Sequence, residues 1–275
     1  MTVLIVGGSG FLGAELGRQA ALATHPTAMT YATRPGSTAG VVWHSLDLRD
    51  QGNVDAILAE LRPSAVVNAS SGGPDWAVTA EGAVRLAMAA AKSGSRLVHV
   101  SSDAVFSGLR VHYDETCLPD PVTPYGAAKA AAETGVLLVH PSAVVARTSL
   151  IIGDGQSAHE RAVHELANGV RDGVLFTDDI RCPVHVADLA AALLELAHGD
   201  EHGIRHLGGS EALSRHELGI LIARRDGLDE RSLPTGLRAR SAHPGALDVR
   251  LDSRATQRGL RTTLRGASRF LAPTF

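Results

Sequence analysis

The segment Val3-Leu4-Ile5-Val6-Gly7-Gly8-Ser9-Gly10-Phe11-Leu12-Gly13 decides the fold of this chain. Four apolar, strand-forming residues run directly into a glycine-rich turn, and a helical pattern follows over residues 14–23. A strand, a glycine turn and a helix in this order can form a phosphate site, because glycines let the backbone approach a pyrophosphate and the helix N-terminus offers free N–H groups. The alternative is a glycine turn with a purely structural role. We favour dinucleotide binding, and the cofactor-binding candidates of this segment are Gly7, Ser9, Gly10, Phe11, Leu12 and Gly13.

Strand and helix patterns alternate along the first 150 residues. Further strands are predicted at residues 28–33, 65–68, 96–100 and 143–146, together with a short one that ends at 46–48. Because such units connect by right-handed crossovers, they predict an α/β fold, a Rossmann-like doubly wound parallel sheet covered on both faces. The alternation loosens after residue 150. We therefore predict a dinucleotide-binding domain over residues 1–150, to which 177–200 return, and a smaller C-terminal substrate-binding lobe built from 151–176 and 201–275.

A second stretch, Tyr125-Gly126-Ala127-Ala128-Lys129, pairs a phenol with an ammonium group. The run is alanine-rich and should be helical through Glu133, so the four-residue spacing places both side chains on one helix face. A phenol titrates near a pH of about 10, and it needs a nearby cation and a reacting oxygen to transfer protons at neutral pH. The chain has 24 arginines and only two lysines, which indicates that position 129 requires an ammonium group. A chance pairing on an exposed helix is the alternative.

Polar residues follow two of the predicted strands, where ligands bind in open parallel sheets. Ser101, Ser102 and Asp103 end the strand of residues 96–100, and Asn68-Ala69-Ser70-Ser71-Gly72 follows the strand of residues 65–68. The Ser102 hydroxyl can hydrogen-bond the same substrate oxygen that Tyr125 protonates, although the Ser-Ser-Asp sequence could instead form a turn or a helix cap. The predicted catalytic residues are Ser102, Tyr125 and Lys129.

The loop after the second strand bears on the choice of cofactor. Enzymes selective for NAD place an acid near this point, whereas an arginine accommodates a 2′-phosphate, so Arg34 favours NADP, with NAD as the alternative. Arg34 could also be a solvent-facing loop residue. Asp47, followed by Leu48, is a candidate to contact the adenine, and it could equally cap the predicted helix of residues 53–61.

Composition excludes several classes of function. A net charge of −3 with 4% aromatic residues argues against a nucleic-acid surface. From residue 201 onward the sequence has thirteen arginines and eight acidic residues. This excess of positive charge fits either an anionic substrate or a solvated surface. Cys117 and Cys182 fit neither a metal site nor a disulfide framework, which favours the cytoplasm. No histidine spacing suggests a metal, and no apolar run reaches membrane-spanning length.

Several motifs together resemble the extended short-chain dehydrogenase/reductases, and more narrowly the dTDP-4-dehydrorhamnose reductase family. The resemblance covers nearly the whole chain. It is carried by the glycine segment, residues 101–108, Tyr113-x-Glu115, Pro124-Tyr125-Gly126-Ala127-Ala128-Lys129, Glu133, Arg147-Thr148-Ser149, Pro183-Val184-His185-Val186-x-Asp188-Leu189-Ala190, residues 203–210 and residues 248–253.

The resemblance implies a hydride transfer from NADPH to a keto carbon of a nucleotide-linked sugar. Tyr125 would then protonate the developing alkoxide, while Lys129 would lower the pKa of the tyrosine and hold the nicotinamide ribose. Asn68, Ala69, Ser70 and Ser101 would join the cofactor contacts, along with Tyr125 and Lys129. The substrate, a small and anionic molecule, would contact Ser71, Gly72, Asp103, Val105, Phe106 and Leu150. The enzyme would act as a monomer or a homodimer.

The sequence departs from the family where the substrate would bind. The segment between Asn68 and Ser101 is about ten residues shorter than the family pattern, which removes a pocket-shaping loop. Thr79 stands where an asparagine is usual, and Leu150 replaces a tryptophan. We therefore expect a ketoreductase whose substrate can differ from the rhamnose precursor. The alternatives are a sugar-nucleotide epimerase or dehydratase, against which Ala104 argues because dehydratases carry a glutamate there, and a catalytically silent nucleotide-binding regulatory subunit.

Overall fold

Seven parallel strands form the central sheet of the protein, whose computed structural model describes residues 2–23, 25–242 and 245–273. The strands are β1 (Val3–Val6), β2 (Thr27–Tyr31), β3 (Val42–Ser45), β4 (Ala65–Asn68), β5 (Arg96–Ser102), β6 (Val144–Thr148) and β7 (Gly203–Leu207). Their order across the sheet is β7-β6-β5-β4-β1-β2-β3, and every neighbouring pair is parallel. The order reverses between β1 and β4, the position at which such sheets bind ligands. The predicted doubly wound α/β fold is confirmed.

The helices cover both faces of this sheet and build the lobe beside it. The α-helices are α1 (Phe11–Leu22), α2 (Gln51–Leu61), α3 (Gly82–Ser93), α4 (Pro124–Val139), α5 (Ala158–Ala167), α6 (Val186–His198), α7 (Arg215–Asp226), α8 (Arg254–Gly259) and α9 (Ala267–Phe270). A π-helical turn (Ala77–Glu81) leads into α3, and 3-10 helices span Asp103–Val105, Glu230–Ser232 and Arg238–Arg240.

The central strands carry apolar side chains on both faces, as a sheet covered by helices requires. On β1, Val3 and Ile5 belong to the core that includes α1 and α6, whereas Leu4 and Val6 belong to the core that includes α2 and α3. All four side chains are buried. Burial of one such side chain contributes about 1.5–3 kcal/mol to folding, so the two layers fix the strand on which the glycine turn begins.

Helix α2 begins at Gln51, and its N-cap is Asp50, whose carboxylate accepts hydrogen bonds from the backbone of Gly52 and Asn53. The alternative that Asp47 caps this helix was therefore wrong. Asp47 pairs instead with Arg49 at 3.0 Å.

A third apolar core lies between the segment after β6 and helices α5, α7 and α9. Short strand pairs connect the surrounding loops. The pairs are Ile151–Ile152 with Val184–His185, Leu175–Phe176 with Thr235–Gly236, Val111–Tyr113 with Val249–Leu251, and Ile180–Arg181 with Leu213–Ser214. The first three pairs are parallel and the last is antiparallel. The predicted domain division stays a prediction, but β7, which we placed in the lobe, belongs to the central sheet.

Candidate active site

The glycine turn after β1 has a backbone that only glycine supports at two of its positions. Gly7 has a φ of +80°, and a Cβ there would lie 2.7 Å from the Cα of Ser70. A Cβ on Gly13 would lie 2.2 Å from the carbonyl oxygen of Gly7, so α1 packs directly on the turn. Gly10 is the N-cap of α1, and no side chain in the described part of the chain caps this end. The first-turn residues Phe11 and Leu12 line a cavity, so their N–H groups are available to a pyrophosphate there.

The loop after β4 is held by a buried amide. The side-chain oxygen of Asn68 accepts hydrogen bonds from the Ser70 hydroxyl at 2.6 Å and from the Ser70 N–H at 3.2 Å. The Asn68 amide nitrogen lies 3.1 Å from Nδ1 of His99, which is buried on the neighbouring strand β5. Ala69, Ser70 and Ser71 line the cavity. Asn68 does not line it and instead holds the loop through its hydrogen bonds to Ser70.

Thr79, the residue that departs from the family pattern, anchors the far end of the same loop. Its hydroxyl donates to the carbonyl of Gly73 at 2.9 Å and accepts from the N–H of Gly72 at 3.1 Å. Gly72 does not line the cavity and packs against Val78 instead. Its predicted direct contact with the substrate is thus not supported by this geometry.

A buried ion pair fixes the end of β5. Glu133 on α4 accepts from Nη2 of Arg147 at 2.8 Å and from the Ser101 hydroxyl at 2.5 Å. The Glu133 and Arg147 side chains are 3% and 2% exposed. The motif glutamate therefore holds β5 and β6 together beside the catalytic candidates.

The structure brings the three predicted catalytic residues to one cavity. Thr123 caps α4 by accepting from the N–H of Gly126, and Pro124 opens the helix, which sets the first turn where Tyr125 lies. Ser71 and Ser102 line the same cavity as Tyr125. One helical turn on, Lys129 is buried and its ammonium donates to the carbonyl oxygen of Val100 at 2.9 Å.

The protonation behaviour of Tyr125 differs from the prediction. Burial raises the pKa of Tyr125, the hydroxyls of Ser102 and Ser71 lower it, and the Asp103 carboxylate raises it, with a net upward shift. The predicted effect of Lys129 on this pKa stays a prediction. Burial lowers the pKa of Lys129 to about 8, against an opposing effect of Glu133. At neutral pH the site therefore holds a protonated phenol beside an ammonium group, which suits the donation of a proton to a substrate oxygen.

The cavity has a volume of about 620 Å³ and is lined by Phe11, Leu12, Ala69, Ser70, Ser71, Ser101, Ser102, Asp103, Phe106, Tyr125, Lys129 and Leu150 among the predicted residues. Asp103 is fixed by the Ser149 hydroxyl at 2.7 Å. Val105, a predicted substrate contact, is fully buried in a separate apolar cluster and does not line the cavity. Val105 packs in the apolar cluster around Tyr113, so its predicted direct contact with the substrate is not supported by this geometry.

Eight predicted cofactor residues do not line this cavity: Gly7, Ser9, Gly10, Gly13, Arg34, Asp47, Leu48 and Asn68. Arg34 is exposed on the loop after β2, and a Cβ on Gly36 of that loop would lie 3.6 Å from the Cα of Ser9 in the glycine turn. Leu48 is 5% exposed and packs in the core, and Asp47 is held by Arg49. The cofactor roles of Arg34, Asp47 and Leu48 stay predictions.

Sequence reasoning missed a charged group on the lobe side of the cavity, formed by His159, Asp179, Arg181, Arg215 and Arg238. The arginine excess after residue 201 was the only signal, and it did not indicate which arginines face inward. Within the described ranges, no group of His, Cys, Asp and Glu side chains could hold a metal ion. In the same residues, no helix combines the length and the hydropathy that crossing a membrane requires.

Comparisons with known proteins identify the family of this chain. The family model described as the RmlD substrate binding domain matches residues 1–245. The dTDP-4-dehydrorhamnose reductase of Aggregatibacter actinomycetemcomitans is 29% identical over 196 residues, which are 64% of this chain and 66% of that protein. The methionine adenosyltransferase 2 subunit beta of Xenopus laevis is 29% identical over 197 residues, 65% of this chain and 59% of that protein.

A crystal structure of the dTDP-4-dehydrorhamnose reductase of Bacillus anthracis in complex with NADP has the same fold. It superposes with a TM-score of 0.83 at 22% identity and covers 98% of this chain and 96% of that one. The fold, the glycine turn and the family match agree. The chain belongs to the RmlD-like family of extended short-chain dehydrogenase/reductases.

Proposed function

We propose that this protein is an NADPH-dependent ketoreductase that acts on a keto group of a nucleotide-linked deoxysugar, as its relative from Aggregatibacter is named to do. The observation that carries the proposal is the convergence of Ser102, Tyr125 and Lys129 on the cavity that Phe11 and Leu12 of the glycine turn also line. The proposal extends to a related biosynthetic ketone, because Leu150 lines the cavity where the family pattern has a tryptophan.

The residues at the glycine turn fit a dinucleotide. The uncapped first turn of α1 offers N–H groups, and the packing of Gly7 and Gly13 leaves no room for larger side chains between the turn and its neighbours. Arg34, on a loop adjoining Ser9, favours NADP over NAD. Solved structures with the same fold hold NADP or NAD, which supports a dinucleotide site and leaves the choice between the two cofactors to Arg34.

The mechanism follows from the protonation states of the chain's own residues. When bound, the nicotinamide supplies a hydride to the keto carbon. Tyr125, whose raised pKa keeps it protonated at neutral pH, donates its proton to the oxygen that becomes a hydroxyl. Ser102, whose hydroxyl lowers the pKa of Tyr125, lines the same cavity and is placed to hydrogen-bond the same substrate oxygen. Lys129 keeps a positive charge within the cavity, which favours negative charge on that oxygen.

The substrate of this proposal is anionic, and the protein works as a monomer or homodimer in the cytoplasm. Among the residues that the structure describes, four cationic and two acidic side chains line the cavity, which supports an anionic substrate. Cys117 and Cys182 are both free and buried, which is consistent with a reducing compartment. Light scattering coupled to gel filtration would decide the oligomeric state.

The test is NADPH oxidation, followed at 340 nm, with dTDP-4-dehydro-6-deoxyhexose and a panel of other nucleotide-linked and free ketones. We expect oxidation with at least one nucleotide-linked 4-keto sugar, and a rate with NADH lower than with NADPH. Formation of an epimer or an unsaturated sugar without net NADPH oxidation would overturn the proposal in favour of an epimerase or dehydratase. Binding of NADPH with no oxidation by any ketone, together with a stable complex with a second enzyme, would indicate a regulatory subunit.

A further inference from the structure

A second cavity adjoins the catalytic cavity, the one that Tyr125 lines. The two share no lining residue among those that the structure describes. The second cavity has a volume of about 770 Å³, which is in the usual range for small-molecule sites. Its walls are the loop after β7, the strand Val249–Leu251 and helix α8. Arg181 lines the catalytic cavity and the next residue, Cys182, lines the second one, so the backbone at these two residues separates them.

Three arginines line the second cavity, and they differ in their partners. Arg250 pairs with Asp248 at 2.8 Å, and Arg254 pairs with Asp252 at 2.6 Å. Arg258 is exposed and forms no ion pair or hydrogen bond through its side chain with any residue that the structure describes. The first two charges are therefore balanced within the protein, and Arg258 supplies the unbalanced positive charge of the cavity.

The paired arginines and two serines keep hydrogen-bond donors that the protein does not use. Arg250 and Arg254 both turn Nε and Nη2 to their carboxylates, and Nη1 of each has no hydrogen bond within the described ranges. The Ser253 hydroxyl accepts from the N–H of Gly208 at 3.0 Å, which leaves its own proton to donate. The exposed Ser210 hydroxyl has no hydrogen bond in the described part of the chain.

The side-chain acceptors of this cavity are already engaged. The oxygen of the Gln257 amide accepts from the N–H of Leu264 at 2.8 Å, and its nitrogen donates to the carbonyl of Thr262 at 2.7 Å. The hydrogen bonds from Arg254 lower the pKa of Asp252 to about 2, so this carboxylate stays ionised and paired. What remains for a ligand is a set of donors with a net positive charge, which selects an oxyanion.

The floor of the cavity is apolar. Cys182, Leu251 and Leu264 line it and are almost fully buried. Burial raises the pKa of the Cys182 thiol to about 11, so the floor carries no negative charge at neutral pH. The cavity is also larger than an inorganic anion requires. A ligand that fills it therefore combines an oxyanion with an apolar group.

The backbone is strained where it brings His112 to the cavity. Val111 has a φ of +62°, a conformation that β-branched residues rarely adopt, and the N–H of His112 donates to the carbonyl of Arg110 at 2.7 Å. His112 lines the cavity with an exposed ring. Strained residues of this kind are concentrated at sites that bind ligands.

We propose that this second cavity binds a phosphate monoester that carries an apolar group. Arg258 is the main contact of the phosphate, with Nη1 of Arg250, Nη1 of Arg254 and the Ser210 hydroxyl as further donors. A phosphate directs three oxygens to different sides and so matches donors on several walls, whereas a carboxylate offers two oxygens in one plane. The inference does not depend on the proposed function, because the cavity contains none of the catalytic candidates.

Calorimetric titration of the full chain with 1-naphthyl phosphate tests the proposal. The titration is made with and without saturating NADPH and dTDP, which occupy the catalytic cavity. We expect binding at a single site under both conditions, about tenfold or more tighter than inorganic phosphate because the naphthyl group covers the apolar floor. The carboxylate analogue 1-naphthoate should bind more weakly than 1-naphthyl phosphate.

Two variants and a matched control locate the site. Arg258→Gln should weaken binding of 1-naphthyl phosphate about tenfold, and Ser210→Ala about two- to fivefold, the usual effects of losing a charge-assisted and a neutral hydrogen bond. The control is Arg261→Gln, because Arg261 is 93% exposed, pairs with Glu195 and does not line the cavity. It should bind as the wild type does, and all three variants should keep the wild-type thermal midpoint.

Four results would overturn the assignment. They are no binding of 1-naphthyl phosphate by the wild type, loss of binding when NADPH and dTDP are present, binding of 1-naphthoate as tight as that of the phosphate, and an effect of Arg258→Gln no larger than that of Arg261→Gln. Each of them leaves the proposed reductase activity standing, since that activity is judged by NADPH oxidation alone.

Discussion

The buried ion pair of Glu133 and Arg147 gives a prediction whose size follows from the structure. Both side chains are almost fully buried, and the Arg147 guanidinium makes hydrogen bonds of 2.8 to 3.1 Å to the Glu133 carboxylate. Glu133→Gln keeps the shape but removes the negative charge, so the Arg147 cation stays buried without its counter-ion. Breaking such a pair costs about 3–5 kcal/mol, and because glutamine retains one acceptor we expect a loss of about 3 kcal/mol in the free energy of unfolding.

Urea unfolding followed by circular dichroism measures this loss. Glu81→Gln is the control, because Glu81 forms an ion pair with Arg85 while 49% exposed, and we expect a change of about 0–1 kcal/mol there. A double variant, Glu133→Gln with Arg147→Met, should be more stable than Glu133→Gln alone, since no buried charge then lacks a partner. If Glu133→Gln unfolds within about 1 kcal/mol of wild type, the pair does not hold β5 and β6 together in the way inferred here.

Three further predictions concern the cofactor site and the catalytic lysine. Gly13→Val should weaken NADPH binding at least tenfold by fluorescence titration, because its Cβ would lie 2.2 Å from the Gly7 oxygen. Gly199→Ala is the control and should bind NADPH normally, because its Cβ would have its nearest contact at 3.4 Å. Tight NADPH binding by Gly13→Val would refute the packing argument. Arg34→Ala should reduce the preference for NADPH over NADH about tenfold. The control Arg171→Ala, on the lobe, should leave this preference unchanged. An equal preference in wild type and Arg34→Ala would show that Arg34 does not contact the cofactor. Burial lowers the pKa of Lys129 from 10.5 to about 8, so the unfolded chain binds more protons between those values, and the stability of wild type relative to Lys129→Met should rise by about 3 kcal/mol from pH 8 to pH 10.5. A flat difference in urea unfolding free energy across that range would show that Lys129 is not buried as a cation.

Local sequence patterns predicted the parts of the site that lie within single elements. The glycine turn is contiguous, and the spacing of Tyr125 and Lys129 on α4 follows from helix geometry, so both could be read from the chain. The site residues at the ends of β4 and β5 were predicted because parallel sheets bind ligands at the carboxyl ends of their strands.

The remaining features depend on tertiary contacts that no short pattern encodes. Arg215 and His159 reach the cavity from two separate helices of the lobe, and their contact spans 56 residues of sequence. The raised pKa of Tyr125 results from burial by the surrounding elements, which the motif alone does not reveal. Val105 belongs to a motif that lines the site, yet its own side chain packs away from the cavity.

The central claim is that the Tyr125 phenol supplies the proton for reduction of a ketone. The most direct test compares NADPH oxidation by wild type, Tyr125→Phe and Tyr113→Phe with the best nucleotide-linked ketone, after NADPH binding has been measured for each. Tyr113 accepts a hydrogen bond from the Arg110 N–H outside the cavity, so its variant controls for the loss of a phenol. We expect Tyr125→Phe to bind NADPH normally and to lose at least 99% of kcat, roughly the 10²-fold or greater contribution of a positioned acid, while Tyr113→Phe keeps wild-type turnover. Turnover by Tyr125→Phe at the wild-type rate would contradict the claim.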